Sequence, residues 1–442
     1  MTDRRTEQYS QILSRMIQVP TVSLRNQQDK SVFLQFHKLL RELFPRLFTT
    51  CQVEIFDGSL VLHWKGKTDK PPLMLMNHQD VVEANGQWKY PPFSGMVAEG
   101  KLWGRGALDT KAGLWAMLQA AEELICNNWM PDRDIWFVST CTEETDGSHA
   151  DRISTELHNR GLRFSMVLDE GGMILDKPIN GAKGTFAMVG LGEKGSANLK
   201  FTARSKGGHA STPGTDTPLV RLGKFMAEAD RNKLFRVELS PTVCRMYQTL
   251  AATMKQPQKT LLGHPELFKA VLKRLIPSVS AEAEAMLRTT IAFTMAQGSE
   301  GANVLPQEAW VIGNMRYSHH QGCKDSIDAI SRLAAKYDIE TEILDSGFPS
   351  PMTDLDSDGY HLTEQAIRAT FPSVIPCPYL MMAASDSRFM SRISDCCIRF
   401  APFRISRSQM RSVHGLDENI DLETLTPAVD FYKYIICHVD FS

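Results

Sequence analysis

Leu73-Met-Leu-Met76 follows Pro71-Pro72 and is apolar at every position, so it cannot be a strand with one wet face. Such a run suits a strand covered on both sides, which in practice means a sheet flanked by helices. The segments around it support that reading. From Thr110 to Cys126 apolar residues recur at helical spacing, with Asp109 where an N-cap would sit. Ile135-Trp-Phe-Val138 is a second buried strand, residues near Ala150 to Arg160 read as helix, and Phe164 to Leu168 as strand again. Strands separated by helices imply parallel βαβ units, hence an α/β fold with a mixed, mostly parallel sheet.

After about Leu191 the pattern changes. Ser196 to Arg204 and Glu308 to Arg316 alternate like half-exposed strands, with helical stretches between them near Leu219 to Ala229, Glu266 to Leu275 and Ala281 to Leu287. Residues 193–317 are therefore expected to form an inserted α+β unit. Residues 1–192 and 318–442 would together form a discontinuous catalytic unit. A chain of 442 residues is long enough for two cores.

Composition narrows the function. Net charge is −2 and no long basic run occurs, which argues against nucleic acid as a partner. No stretch reaches the roughly 18 to 20 apolar residues of a membrane span. The polar, then amphipathic start MTDRRTEQYSQILSRM has no signal-peptide core, so a cytoplasmic protein without membrane association is expected. Nine scattered cysteines, with no CxxC pair, read as reduced thiols.

Five clusters carry chemistry. His78 and Asp80 follow the Leu73 strand, where open α/β sheets place their ligands. Asp80 is placed to orient the imidazole while the other ring nitrogen binds a metal. Asp109, in GRGALDTKAG, is either a plain N-cap or a carboxylate bridging two cations; the glycines match neither phosphate-binding fingerprint. Glu143-Glu144 are adjacent acids after the Ile135 strand, one able to ligate a metal while the other moves a proton. Asp169-Glu170 end another apolar strand, and His414 lies in Val-His-Gly far along the chain. Oxygen and imidazole donors suit zinc, with cobalt or manganese as substitutes.

Together these segments resemble the two-zinc peptidases that include aminoacylase, succinyl-diaminopimelate desuccinylase and carboxypeptidase S, and most resemble the branch of carboxypeptidase S and the N-fatty-acyl-amino-acid hydrolases. The likeness rests on MNHQDVV, on Trp88 to Gly95, on WGRG before Asp109, and on Leu168 to Gly172. It continues through Arg288 to Thr294, Asn303 to Pro306, Asp386 to Phe389 and His414 to Glu418. It implies two zinc ions. His78 would hold one, Asp109 would bridge both, Glu144 and His414 would hold the other, and Asp169 or Glu170 would complete the set. Glu143 would be the general base and Asp80 the residue orienting His78. The inserted unit would be a lid, whose His209 would stabilise the oxyanion, often across a homodimer; Asn303 and Arg316, with Arg388 as a weaker candidate, would hold the substrate. That substrate would be a small peptide losing its C-terminal residue, or alternatively an N-acyl amino acid. Two departures, Met-Ala-Ala before Ser385 and a short turn after the glutamates, bear on the specificity pocket.

Overall fold

Leu73–Met76 is a strand with every residue buried. Its side chains divide between two cores: Leu73 and Leu75 face one, Met74 and Met76 the other. The structure, a computed structural model, describes residues 4–231, 234–347 and 350–440. In it this strand lies inside an eight-stranded sheet. The order across the sheet is Gln52–Phe56, Ser59–Trp64, Ile135–Ser139, Leu73–Met76, Met166–Asp176, Cys397–Ile405, Thr185–Glu193 and Val374–Met381. The middle of the sheet is parallel: Leu73–Met76 runs with both its neighbours, and Cys397–Ile405 runs with Met166–Asp176. Antiparallel pairs lie towards both edges.

One face is covered by helices Arg4–Ile17, Lys111–Cys126, Asp358–Thr370 and Leu425–His438, and the other by Ser148–Asn159 and the short turn Ser387–Met390. Helix Lys111–Cys126 is buried from Lys111 through Glu122, which explains why apolar residues occur all around it. Each fully buried large apolar side chain in these layers contributes roughly 1.5–3 kcal/mol over its exposed state. The helix begins one residue later than expected. Its N-cap is Thr110, not Asp109, and the Thr110 hydroxyl donates to Asn77 Oδ1 at 2.8 Å. Gly113 is required in this first turn, since a Cβ there would lie 2.1 Å from Asn77 Oδ1.

The second sheet has the order Thr290–Gln297, Glu308–Tyr317, Gly195–Arg204, Ile339–Ser346, all antiparallel. Alternate residues such as Leu199, Phe201, Val311 and Met315 face helices Pro218–Arg231 and Gly322–Lys336. A division at 317/318 cuts through this unit. Helix Gly322–Lys336 and strand Ile339–Ser346 belong with the inserted sheet, because their apolar faces close its core. The helices from Pro241 to Leu287 instead pack Val243, Met246, Leu250 and Leu272 against Phe186, Met188, Cys377 and Leu380, at the edge of the main sheet. All nine cysteines are free. Among the described residues no helix is long and apolar enough to cross a membrane.

A buried histidine gives this fold a pH signature. His37, on helix Ser31–Leu43, is 3% exposed, and its Nε2 meets Gln79 Oε1 at 3.0 Å. Burial, reinforced by Arg41, pushes its pKa down to about 4 against an ordinary 6.5. The unfolded chain therefore takes up this proton first as pH falls. Stability is fully present above pH 6.5 and is lost on the way down to the folded pKa, by about 3 kcal/mol in total. Urea midpoints at pH 7 and pH 4 are expected to differ less in His37→Gln than in the wild type.

Candidate metal centre and active site

Three side chains meet beyond the carboxyl ends of the central strands. Ligand atoms of His78, Asp109 and Glu144 all lie within 4.8 Å of one another. His78 comes off the end of Leu73–Met76, Glu144 follows Ile135–Ser139, and Asp109 precedes helix Lys111–Cys126. The two oxygens of Asp109 face different imidazoles: Oδ1 is 3.0 Å from His78 Nε2 and Oδ2 is 3.0 Å from His414 Nε2. His414 Nε2 is also 2.9 Å from Glu144 Oε2. Glu143 stands beside this group, with Oε2 4.0 Å from His78 Nε2.

His78 is oriented mainly through the backbone. Its Nδ1 is 2.9 Å from the carbonyl oxygen of Asp80 and 3.5 Å from the carboxylate Oδ1, which turns Nε2 towards Asp109. The Asp80 carboxylate has a second duty. Its Oδ2 accepts from the Ser23 hydroxyl at 2.7 Å and from the Glu144 N–H at 3.1 Å. It thus ties the loop carrying Glu144 to the N-terminal segment.

Asp169 and Glu170 do not end a strand. They lie inside Met166–Asp176, where the pairing steps from Arg399↔Asp169 to Phe400↔Gly172. This bulge interrupts the alternation of faces that would otherwise separate the two acids. Asp169 is buried, and its oxygens accept from the N–H groups of Glu170 and Ser387, both at 2.8 Å. Burial, with Asp169 and Asp109 close by, pushes the Glu170 carboxyl well above the ordinary range.

The remaining sequence candidates are spread out. His209 is exposed on a two-residue strand paired with Val304–Leu305, with its Nδ1 2.7 Å from the Ser211 hydroxyl. Asn303 lies alongside, its carbonyl accepting from Ala210 N–H. Arg316 is half-buried in Glu308–Tyr317 of the second sheet. Arg388 bonds the Ser385 carbonyl at 2.7 Å and packs over Phe389. Among the described residues His209 is not part of the His78–Asp109–Glu144 cluster of ligand atoms.

Asp386 is a site neighbour not singled out from the sequence. Its Oδ2 accepts from the Thr140 hydroxyl at 2.5 Å, and burial pushes its pKa up to about 7, with Asp169 and Asp80 adding to the rise. Its signal was present in the Asp-Ser-Arg-Phe segment. Burial, then Asp386, Glu170 and Glu144, likewise push Glu143 well above the ordinary carboxylate range, against the opposing pull of His78. Glu144 Oε1 and Asp80 Oδ1 are buried without a hydrogen-bond partner. Unpartnered acceptors among crowded carboxylates and two imidazoles fit divalent cations.

A helix-flanked α/β sheet with a carboxylate–imidazole cluster beyond its strand ends is an arrangement suited to a hydrolase that holds metal. The profile of Peptidase family M20/M25/M40 matches residues 74–438, and the chain belongs to this family. The human N-fatty-acyl-amino acid synthase/hydrolase PM20D1 is 30% identical over 433 residues, covering 96% of this chain and 86% of that protein. Probable carboxypeptidase S-like 2 of Dictyostelium discoideum is 29% identical over 416 residues, covering 91% and 79%. Among solved structures, an M20 family metallo-carboxypeptidase from Sulfolobus solfataricus superposes with a TM-score of 0.70 at 17% identity, covering 98% of this chain and 99% of that one. A Bacillus subtilis protein of the same family, described as a dinuclear metal binding peptidase, superposes with a TM-score of 0.59 at 12% identity, covering 98% of this chain and 98% of that one. The chain is accordingly a metallopeptidase or amidohydrolase acting on C–N amide bonds.

Proposed function

We propose that the chain uses two zinc ions to cleave an amide bond next to a free carboxylate, releasing the C-terminal amino acid of a small peptide. The observation that carries this reading is the convergence of His78, Asp109 and Glu144, with His414 against the second oxygen of Asp109. In this reading His78 would hold one ion, Glu144 and His414 the other, with Asp109 shared between them and Asp169 or Glu170 completing the set. The imidazole and carboxylate donors favour zinc, and cobalt or manganese could replace it. The ions, when bound, supply Lewis-acid polarisation of the scissile carbonyl and a more acidic water.

The side chains do the rest. Glu143 takes the proton from the attacking water and hands it to the departing amine. Asp80 keeps His78 and the Glu144 loop in place. Arg316 grips the substrate carboxylate, since a guanidinium can bind it through two parallel hydrogen bonds; Asn303 and Arg388 assist in holding the substrate. His209 stabilises the oxyanion from a second copy of the chain, and its exposure on the lid is consistent with a homodimer. A cytoplasmic setting suits the nine free thiols.

A second reading has its own support: the 30% identical human relative is an N-fatty-acyl-amino acid synthase/hydrolase. Both substrate classes present an amide beside a carboxylate. A panel of Gly-Xaa dipeptides, N-acetyl and long-chain N-acyl amino acids, each assayed with zinc, cobalt and manganese, separates them. Dipeptides are expected to turn over, and amidating their carboxylate to abolish most of that turnover. Preference for long acyl chains would transfer the assignment to the second reading. Equal rates on amidated dipeptides would overturn the carboxylate requirement.

A further inference from the structure

The loops carrying Asp109 and His414 are joined by a buried ion pair. Arg105 Nη1 donates to Glu418 Oε2 at 2.7 Å, with the side chains 3% and 0% exposed. Each partner then reaches towards one of the proposed metal ligands. Glu418 Oε1 accepts from the N–H groups of Leu108 at 2.7 Å and of Asp109 itself at 3.1 Å. Arg105 Nη2 donates to the carbonyl of Gly415, next to His414, at 2.8 Å. The Gly104 N–H also donates to the Glu418 carbonyl at 2.9 Å, and the guanidinium lies over the Trp88 ring.

The His414 loop needs such a constraint. His414 has φ 58° and Asp417 has φ 59°, both in the left-handed region that side chains other than glycine's rarely occupy. Non-glycine residues keep that conformation only where their surroundings over-determine it. The bonds from Arg105 to Gly415 and to Glu418 hold the residue that follows each of these two positions.

We infer that Arg105 and Glu418 are positioning residues, which fix Asp109 and His414 at the spacing that lets both serve one dinuclear centre. This rests on the metal-ligand reading above. Neither residue belongs to the clustered ligand atoms. Their effect is exerted through the backbone of Asp109 and of the residue following His414.

Zinc affinity of the full-length protein, measured by chelator competition, is the deciding readout, taken with thermal midpoints, kcat and KM. Glu418→Gln keeps an acceptor for the two N–H groups but lacks the charge. Arg105→Lys keeps the charge but cannot reach Glu418 and Gly415 together. Both are expected to bind zinc about 10- to 100-fold more weakly, as loss of a supporting partner does elsewhere, and to lose kcat more than KM. A merely structural pair would lower the thermal midpoint yet leave zinc affinity of the folded protein unchanged, and that result overturns the inference. If Glu418→Gln does not fold, Arg105→Lys decides on the same terms. Wild-type protein that binds no zinc would overturn the metal reading and this inference with it; normal wild-type loading with unaltered variants overturns the inference alone.

Discussion

Glu143→Gln is expected to stay folded and retain its metal while kcat falls by about 10²- to 10⁴-fold, the usual weight of a positioned proton carrier. The substitution preserves shape and removes only the ability to take a proton. Glu143 and Glu144 are neighbours in sequence, but their surroundings differ. Glu144 lies against His414 at 2.9 Å and its N–H is held by Asp80. Glu143 lies 4.0 Å from His78, and burial beside Asp386, Glu170 and Glu144 pushes its carboxyl up. The amide fills the same space as the carboxyl, so the thermal midpoint should hold. Metal content per chain, thermal midpoint and steady-state kinetics on one dipeptide test this together. Near-normal turnover would remove Glu143 from its role, and loss of metal would make it a ligand instead. Glu144→Gln is the contrasting variant, expected to lose metal.

Sequence pattern revealed the local elements better than it revealed their partners. The apolar run at Leu73–Met76 and the continuous helix after Asp109 were readable because burial on all sides leaves no polar face. The extent of the second unit was not. Helix Gly322–Lys336 and strand Ile339–Ser346 alternate just as elements of the first unit do, and periodicity states how an element is buried but not against what. The Asp169 bulge was hidden for a similar reason. A register step depends on the neighbouring strand, Cys397–Ile405, more than two hundred positions away. His78, Glu143 and Glu144 stood out by residue type and by their place just after buried strands. Arg105 and Glu418 could not be paired, since 313 positions separate them and either alone reads as a solvated charge. Asp80 was readable as a support for His78, but the larger share falls to its carbonyl, which every residue possesses.

Asp109→Asn is expected to cost both metals, because among the described residues no other carboxylate presents its two oxygens to two different imidazoles. Oδ1 faces His78 and Oδ2 faces His414, each at 3.0 Å. Asparagine keeps one oxygen and turns an NH₂ donor, which no cation accepts, towards the other side. The loss should therefore exceed the ~10- to 100-fold effect of removing a supporting partner such as Glu418. The fold should persist. The Asp109 N–H still donates to Glu418, the Thr110 hydroxyl still donates to Asn77, and the residues buried in the following helix are untouched. Metal-to-protein ratio after gel filtration in dilute chelator, read beside the circular dichroism spectrum, checks both halves. Retention of two ions per chain would show that Asp109 is not the bridge, and the geometry would then make Glu144, already against His414, the carboxylate to test next. Retention of one ion would instead divide the centre. His78 would keep its ion with Asp169 or Glu170, and the pair of Glu144 and His414 would be too few donors to hold a second without the shared aspartate.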